Sequence, residues 1–114
     1  MKSKILALSK NEEFKKLLQQ KKVSNKYVTI FFGYLNNKNK NRLNISFVTK
    51  KKIGNAVKRN KIKRRLRNIT NDAYKKISIN LHYSYLVIAK PTMLSNEFKI
   101  IKETLFQEFI KINK

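Results

Sequence analysis

The amino-acid sequence predicts an α+β fold, with a single domain that covers residues 1–114. Three segments carry apolar residues at helical spacing, and three others are short runs rich in β-branched and aromatic residues, which is typical of strands. Hydrophobic residues make up 41% of the chain, including seven phenylalanines and five tyrosines. A chain of this length and apolar content can bury one core, so a disordered basic tail is excluded.

The first helix is predicted to begin at Asn11, whose side chain can cap free backbone N–H groups, and to end near Gln20. Two glutamates follow the cap, where carboxylates favour the positive end of the helix dipole. The apolar patch of this helix consists of Phe14, Leu17 and Leu18.

Two strands are predicted next, from Tyr27 to Leu35 and from Leu43 to Thr49, with a short extra strand near Val23. The link between the two longer strands, residues 36–42, is polar and typical of turns. The sequence therefore predicts that these strands pair as an antiparallel hairpin.

Alternation along both strands predicts which side chains face the core. The core-facing residues are Val28, Ile30, Phe32, Leu43, Ile45 and Phe47. The opposite face receives Thr29, Phe31, Asn44, Ser46 and Val48. This second face is half polar and half aromatic, which makes it a candidate binding surface.

Residues 50–67, KKKIGNAVKRNKIKRRLR, predict a long basic helix that frays near Ser78. Gly54 permits a sharp turn and Asn55 is a good N-cap residue. One apolar stripe follows at helical spacing, formed by Ile62, Leu66, Ile69, Ala73 and Ile77.

The cations of this helix form a face that points away from the stripe. At about 100° per residue, Asn60, Lys63, Arg64 and Arg67 point outward, Lys61 lies beside them, and Arg59 and Arg65 lie on opposite flanks. An ordinary solvated face is the alternative. Four of the five arginines of the chain fall in this segment, however, and guanidinium groups match phosphate with a planar fork of donors. The pattern therefore favours a polyanionic ligand.

The last part of the chain predicts a buried strand and a closing helix. Residues 83–89 are a nearly continuous apolar run, typical of a central strand. Ser95 is predicted to cap the closing helix, whose apolar positions are Phe98, Ile101, Leu105, Phe109 and Ile112. The predicted order is α-β-β-α-β-α, with the short strand near Val23 as an additional element.

Composition limits the classes of function that the chain can have. A formal charge of +22 implies a polyanionic partner, with RNA or DNA as the first expectation. The chain has no cysteine, only one histidine (His82), and six carboxylates with no evident pairing, so neither a protein-borne metal site nor catalysis by its side chains is predicted. No apolar run can span a membrane, and a cytoplasmic location fits.

The basic segment resembles the protein subunit of bacterial ribonuclease P, whose signature is close to KKxGNAVxRNxxKRxxR. The residues that match it are Lys51, Lys52, Gly54, Asn55, Ala56, Val57, Arg59, Asn60, Lys63, Arg64 and Arg67. The outline of the whole chain agrees as well. Departures from the family pattern occur at Ala7, Leu18, Lys61, Lys90 and Lys21–Lys22.

This resemblance implies an α/β sandwich that is ribosomal-protein S5 domain 2-like, with a left-handed βαβ crossover through the basic helix. It also implies a division of labour. The catalytic RNA binds Mg²⁺ and hydrolyses precursor tRNA at the mature 5′ end, as an endonuclease, while the protein helps to hold the 5′ leader. No cofactor is expected on the protein itself.

Two sets of site residues follow from the resemblance. Contacts with the catalytic RNA are expected from Lys50, Lys51, Lys52, Asn55, Arg59, Asn60, Lys61, Lys63, Arg64 and Arg67. The leader-binding cleft is expected to contain Phe14, Leu18, Thr29, Phe31, Asn44, Ser46 and Lys90. Proteins bind single-stranded nucleic acids by stacking bases on aromatic side chains and by placing cations along the phosphate backbone. Core packing is the alternative role for Phe14 and Phe31.

Two other classes of protein are the alternatives. The first is a ribosomal or translation-associated RNA-binding protein of similar fold, which need not share the GNAV-RN-KR spacing. The second is a cationic membrane-active protein, which needs a large exposed apolar helix face. Because the apolar stripes of this chain are needed for its core, no membrane partner is expected.

Overall fold

The computed structural model describes residues 5–8, 12–35, 41–95 and 97–113. Short 3₁₀ turns occupy Lys51–Ile53 and Pro91–Leu94. The strands are β1 (Ile5–Leu6), β2 (Lys21–Ser24), β3 (Val28–Tyr34), β4 (Leu43–Val48) and β5 (Tyr83–Ala89), and the helices are α1 (Glu12–Leu18), α2 (Ala56–Lys76) and α3 (Phe98–Ile112). The short strand predicted near Val23 is confirmed as β2. The two-residue strand β1 was not predicted.

All five strands form one sheet in the order β1-β4-β5-β3-β2. The apolar strand β5 lies at its centre, pairing in parallel with β4 and antiparallel with β3. Four consecutive residues of β5, 84–87, are buried, which confirms the predicted central strand. Helix α2 connects the parallel strands β4 and β5. The left-handed sense of this β4–α2–β5 crossover stays a prediction from the resemblance.

The predicted hairpin between the strands at 27–35 and 43–49 is wrong, because β5 lies between β3 and β4. A strand that is buried on both faces is most stable with a neighbour on each edge, and this long-range pairing takes precedence over the local turn signal. The hairpin of the sheet is instead β2–β3. Its turn is closed by Asn25, whose Oδ1 accepts hydrogen bonds from the N–H groups of Tyr27 (2.8 Å) and Val28 (3.0 Å). Residues 36–40 of the polar link lie outside the described part of the chain.

The sheet separates two apolar clusters, as the predicted alternation requires. The larger cluster lies between the sheet and the helices α2 and α3, and it contains all six predicted core positions of β3 and β4. The smaller one lies under α1, where Leu17 packs against Leu8 and Leu86, with Phe14 and Phe31 at its margin. The architecture is therefore three layers, with α1 alone on the second face.

The N-terminus of α2 is fixed as predicted. Asn55 Oδ1 accepts a hydrogen bond from the N–H of Lys58 at 3.0 Å. Gly54 has φ 154°, and a Cβ at this position would lie 2.7 Å from Lys58 Cδ. This backbone conformation favours glycine. Helix α2 ends at Lys76, two residues before the predicted end.

The start of α3 differs from its prediction. Glu97, rather than Ser95, occupies the N-cap position, and Ser95 Oγ only accepts a 3.3 Å hydrogen bond from the N–H of Glu97. The residues before the helix are held by Arg65, whose Nη1 donates to the carbonyl oxygens of Met93 (2.8 Å) and Ser95 (2.7 Å). At the other end of the chain, the predicted cap Asn11 lies outside the described residues. None of the described helices is long and apolar enough to cross a membrane.

Candidate RNA interface

The exposed surface of α2 carries the cations that the periodicity predicts. Asn60, Lys61, Lys63, Arg64 and Arg67 are all exposed, and the helix buries Ile62, Leu66, Ile69, Thr70 and Ala73 on its other side. We call the five exposed residues the basic face. The three lysines before the helix, Lys50, Lys51 and Lys52, are exposed as well and extend it toward the end of β4. The predicted outward orientation is confirmed.

The two flanking arginines have different surroundings. Arg65 is held by the two carbonyl groups described above, and its guanidinium lies 5.8 Å from the centre of the Phe98 ring. It therefore fastens α2 to the segment before α3. Arg59, on the other flank, is half-buried and lines a groove beside the helix.

This groove, with a volume of about 630 Å³, lies between α1, the end of β4 and α2. One wall carries Phe14 of α1, the floor carries Ser46 and Thr49, and the other wall carries Arg59, Lys63 and Arg67 of α2. One aromatic ring and three cations therefore line the same groove. This combination suits a single-stranded nucleic acid, whose bases stack on rings and whose phosphates bind cations.

Two polar atoms of the groove residues lack a hydrogen-bond partner among the described residues. Thr49 Oγ1 and Arg59 Nε are both buried and unpaired. A buried unpaired polar atom costs about 1–3 kcal/mol, and such atoms recur where a ligand completes the bonding. A donor from arginine beside a hydroxyl is suited to a phosphate oxygen.

The structure divides the predicted leader cleft into three parts. Phe14 and Ser46 line the groove, and Leu18 is exposed on α1. Thr29 and Phe31 share the α1 side of the sheet but belong to β3, on the far side of β5. These residues are therefore distributed along the α1 side of the sheet, where Ser46 and Phe31 both pair with Leu86.

Two residues of the predicted cleft have structural roles. Asn44 is only 2% exposed and its amide donates to the Arg42 carbonyl at 3.3 Å, so little of this predicted cleft residue is accessible to a ligand. Lys90 Nζ donates to Ser24 Oγ at 2.9 Å and to the Asn25 carbonyl, which ties the end of β5 to the β2–β3 turn. Its ammonium group is therefore already engaged within the protein.

Phe14 and Phe31 are each half-buried, so core packing and leader binding are not mutually exclusive roles for them. Both rings pack against the cluster around Leu17 and keep one side accessible. Lys22 Nζ lies 5.9 Å from the centre of the Phe31 ring. Lys22 is not among the predicted cleft residues, and it pairs opposite Phe31 in the β2–β3 register.

Among the described residues, the ion pairs lie away from the basic face. The ion pairs between described residues are Lys102–Asp72 (2.6 Å) and Lys111–Glu108 (3.7 Å), and both use lysines of α3. The hydrogen bond from Lys102 holds the pKa of Asp72 below its usual value. Within the described ranges, no three histidine or carboxylate side chains lie close enough together to hold a metal ion. His82, the only histidine, is exposed at the start of β5.

Comparison with known proteins gives a consistent result. The family model for ribonuclease P matches residues 3–113. The ribonuclease P protein component of Carboxydothermus hydrogenoformans is 32% identical over 111 residues, which cover 94% of this chain and 90% of the relative. That of Mesomycoplasma hyopneumoniae is 34% identical over 113 residues, covering 97% and 92%.

Solved structures agree in fold. The ribonuclease P protein of Staphylococcus aureus has a TM-score of 0.75 at 26% identity, covering 95% of this chain and 94% of the other. The ribonuclease P protein of Thermotoga maritima has a TM-score of 0.74, covering 91% and 94%. At 22% identity this second likeness concerns the fold alone.

Proposed function

This chain belongs to the ribonuclease P protein family, and from that premise we propose that it binds two RNA ligands side by side. The basic face of α2 binds the catalytic RNA of ribonuclease P, and the groove beside it holds the 5′ leader of precursor tRNA. The chain is a subunit of a ribonucleoprotein endoribonuclease that acts in tRNA 5′ processing. This assignment replaces the alternative of a ribosomal protein without a role in catalysis.

The observation that carries the proposal is the position of the cations around the groove. Lys63 and Arg67 belong to the basic face and also line the groove, together with Phe14. The basic face and the groove therefore share these two residues and are contiguous. An RNA on α2 and a strand in the groove would touch each other, which is the geometry needed to bring a leader to a catalytic RNA.

The proposed contribution of the protein is binding and charge neutralisation. Two RNAs repel each other, and the cations along α2 offset that repulsion where the strands meet. Thr49 and Arg59 would orient one phosphate of the leader, while Phe14 stacks on a base. The Mg²⁺ ions of the reaction are assigned to the catalytic RNA, with no cofactor on the protein. The cytoplasm is the proposed site of action.

The ring of Phe14 is expected to determine affinity for the leader. Phe14→Leu keeps an apolar side chain against Leu17 but removes the ring, and stacking contributes about 1–3 kcal/mol per base. We expect the affinity of the holoenzyme for precursor tRNA with a multi-nucleotide leader to fall about fivefold or more. Equilibrium binding of substrates with a long and with a one-nucleotide leader measures this effect.

The matched control is Phe106→Leu on α3, where another half-buried phenylalanine packs against the larger core. It should leave both affinities unchanged. An equal loss of affinity for the two substrates by Phe14→Leu would contradict leader binding in the groove. So would an unchanged affinity for the long-leader substrate.

A further inference from the structure

Tyr34 is an anomaly among the aromatic side chains of the protein. All twelve lie in the described residues, and Tyr34 is the only one classed as exposed, with 64% of its surface accessible. It ends β3 directly opposite Tyr83, the first residue of β5. A large ring left in solvent on a rigid strand suggests a contact surface.

The surroundings of Tyr34 hold its ring in one place. Its centroid lies 4.8 Å from that of Tyr83, and a hydrogen bond to Tyr83 raises the pKa of Tyr34. Tyr83 in turn contacts the rings of Phe32 (5.4 Å) and Tyr85 (6.3 Å) in the larger core. The exposed Tyr34 ring therefore rests on the half-buried Tyr83, which in turn contacts the buried rings of Phe32 and Tyr85. This support lowers the conformational entropy that Tyr34 loses when a base stacks on it.

A cation stands beside this ring. Lys21 of β2 pairs opposite Phe32 and lines a small groove with Tyr34, Tyr83 and Gly33. Gln20 closes the back of the groove, with its Nε2 donating to the Tyr34 carbonyl at 3.1 Å. We call Tyr34, Tyr83 and Lys21 the tyrosine platform. It offers an open ring face for a base and an ammonium group for the adjoining phosphate.

The platform is remote from the groove. Because β5 runs from Tyr83 to Ala89, its two ends are about 20 Å apart at the usual rise per residue. The groove lies at the far end, beside β4. Helix α2 ends at Lys76 and the chain re-enters the sheet at Tyr83, so the platform lies near the C-terminal end of α2. An RNA that follows α2 from its basic face would reach it.

We propose that the tyrosine platform binds an unpaired base of the catalytic RNA, as a second anchor beyond the basic face. This inference rests on the proposed function, because it takes that RNA as the partner. A second copy of the chain is disfavoured as the occupant, since each copy carries a formal charge of +22. The leader is disfavoured because it is assigned to the groove at the other end of the sheet.

Tyr34→Ala should weaken binding of the catalytic RNA alone by about 5- to 100-fold, the range given by the loss of one stacked base. Tyr34→Phe keeps the ring and should stay within about threefold of the parent protein. The salt dependence of Tyr34→Ala should be unchanged, because no phosphate contact is lost. Lys21→Ala should instead reduce the slope by about one unit. Ile100→Ala, at an exposed apolar position of α3, is the matched control and should bind normally.

Because the chain has no cysteine, Gln19→Cys, at an exposed position next to the platform groove, provides a unique site for a tethered cleavage reagent and leaves Tyr34 in place. Cuts confined to one unpaired segment of the catalytic RNA would support the platform. Cuts in the precursor leader would overturn it, as would a change in self-association of Tyr34→Ala in sedimentation. Normal binding of the catalytic RNA by Tyr34→Ala would contradict the platform. The proposed function would stand in that case if binding by the parent protein still requires Arg64 and Arg67. Failure of the parent protein to bind the catalytic RNA would contradict both the platform and the proposed function.

Discussion

Replacing Arg64 and Arg67 together by alanine is expected to weaken binding of the catalytic RNA by about 10- to 100-fold near physiological salt. Both side chains are exposed on the basic face. Each is expected to bind a phosphate, so the slope of log affinity against log salt should fall by up to about one unit per lost contact. Because the change also relieves repulsion between like charges along the helix, the melting temperature should not fall. Titrations at several salt concentrations measure the slope.

Two control variants separate specific contacts from net charge. Lys99→Ala with Lys111→Ala removes the same formal charge from exposed positions of α3, away from the basic face. It should cost much less affinity. Arg64→Lys with Arg67→Lys keeps the charge but loses the planar fork, so its affinity should be intermediate. An unchanged slope in the alanine variant would mean that the basic face does not contact RNA.

The second large effect is expected at Leu17, which fastens α1 to the sheet. Its side chain is fully buried between Leu8 and Leu86, in a cluster far smaller than the main core. Leu17→Ala should lower the free energy of unfolding by about 2–5 kcal/mol, through lost burial and a residual cavity. Urea denaturation followed by circular dichroism measures this loss.

Leu18→Ala is the matched control, since the same residue type at the next position is 47% exposed. It should change the free energy of unfolding by no more than about 0.5 kcal/mol. Similar losses for the two variants would contradict the packing of α1 against the sheet. The comparison also tests the wall of the groove, because Phe14 lies on the same helix.

The sequence predicted most of the structure around α2. Its cap at Asn55, its apolar stripe from Ile62 to Ala73 and its outward cations depend on local rules of spacing and capping. The faces of β3 and β4 were predictable for the same reason, because alternation is a local property. The central position of β5 followed from its apolar run.

Long-range relations were less predictable. The local turn signal suggested that β3 and β4 pair, but β5 lies between them in the sheet. The spacing of the strands in the sequence does not determine that order. The buried state of Asn44 and the bonds of Lys90 likewise depend on neighbours that are distant in sequence. The groove itself is lined by residues of α1, of α2 and of the end of β4, which are distant from one another in sequence. Its polar floor at Thr49 therefore had no signal in the sequence.

The most direct test is cleavage of precursor tRNA by a cognate bacterial ribonuclease P RNA at low magnesium, with and without this protein. We expect accurate 5′ processing only when the protein is added, and loss of that effect with the Arg64 and Arg67 alanine variant. A protein that binds the RNA yet leaves processing unchanged would contradict the proposed role.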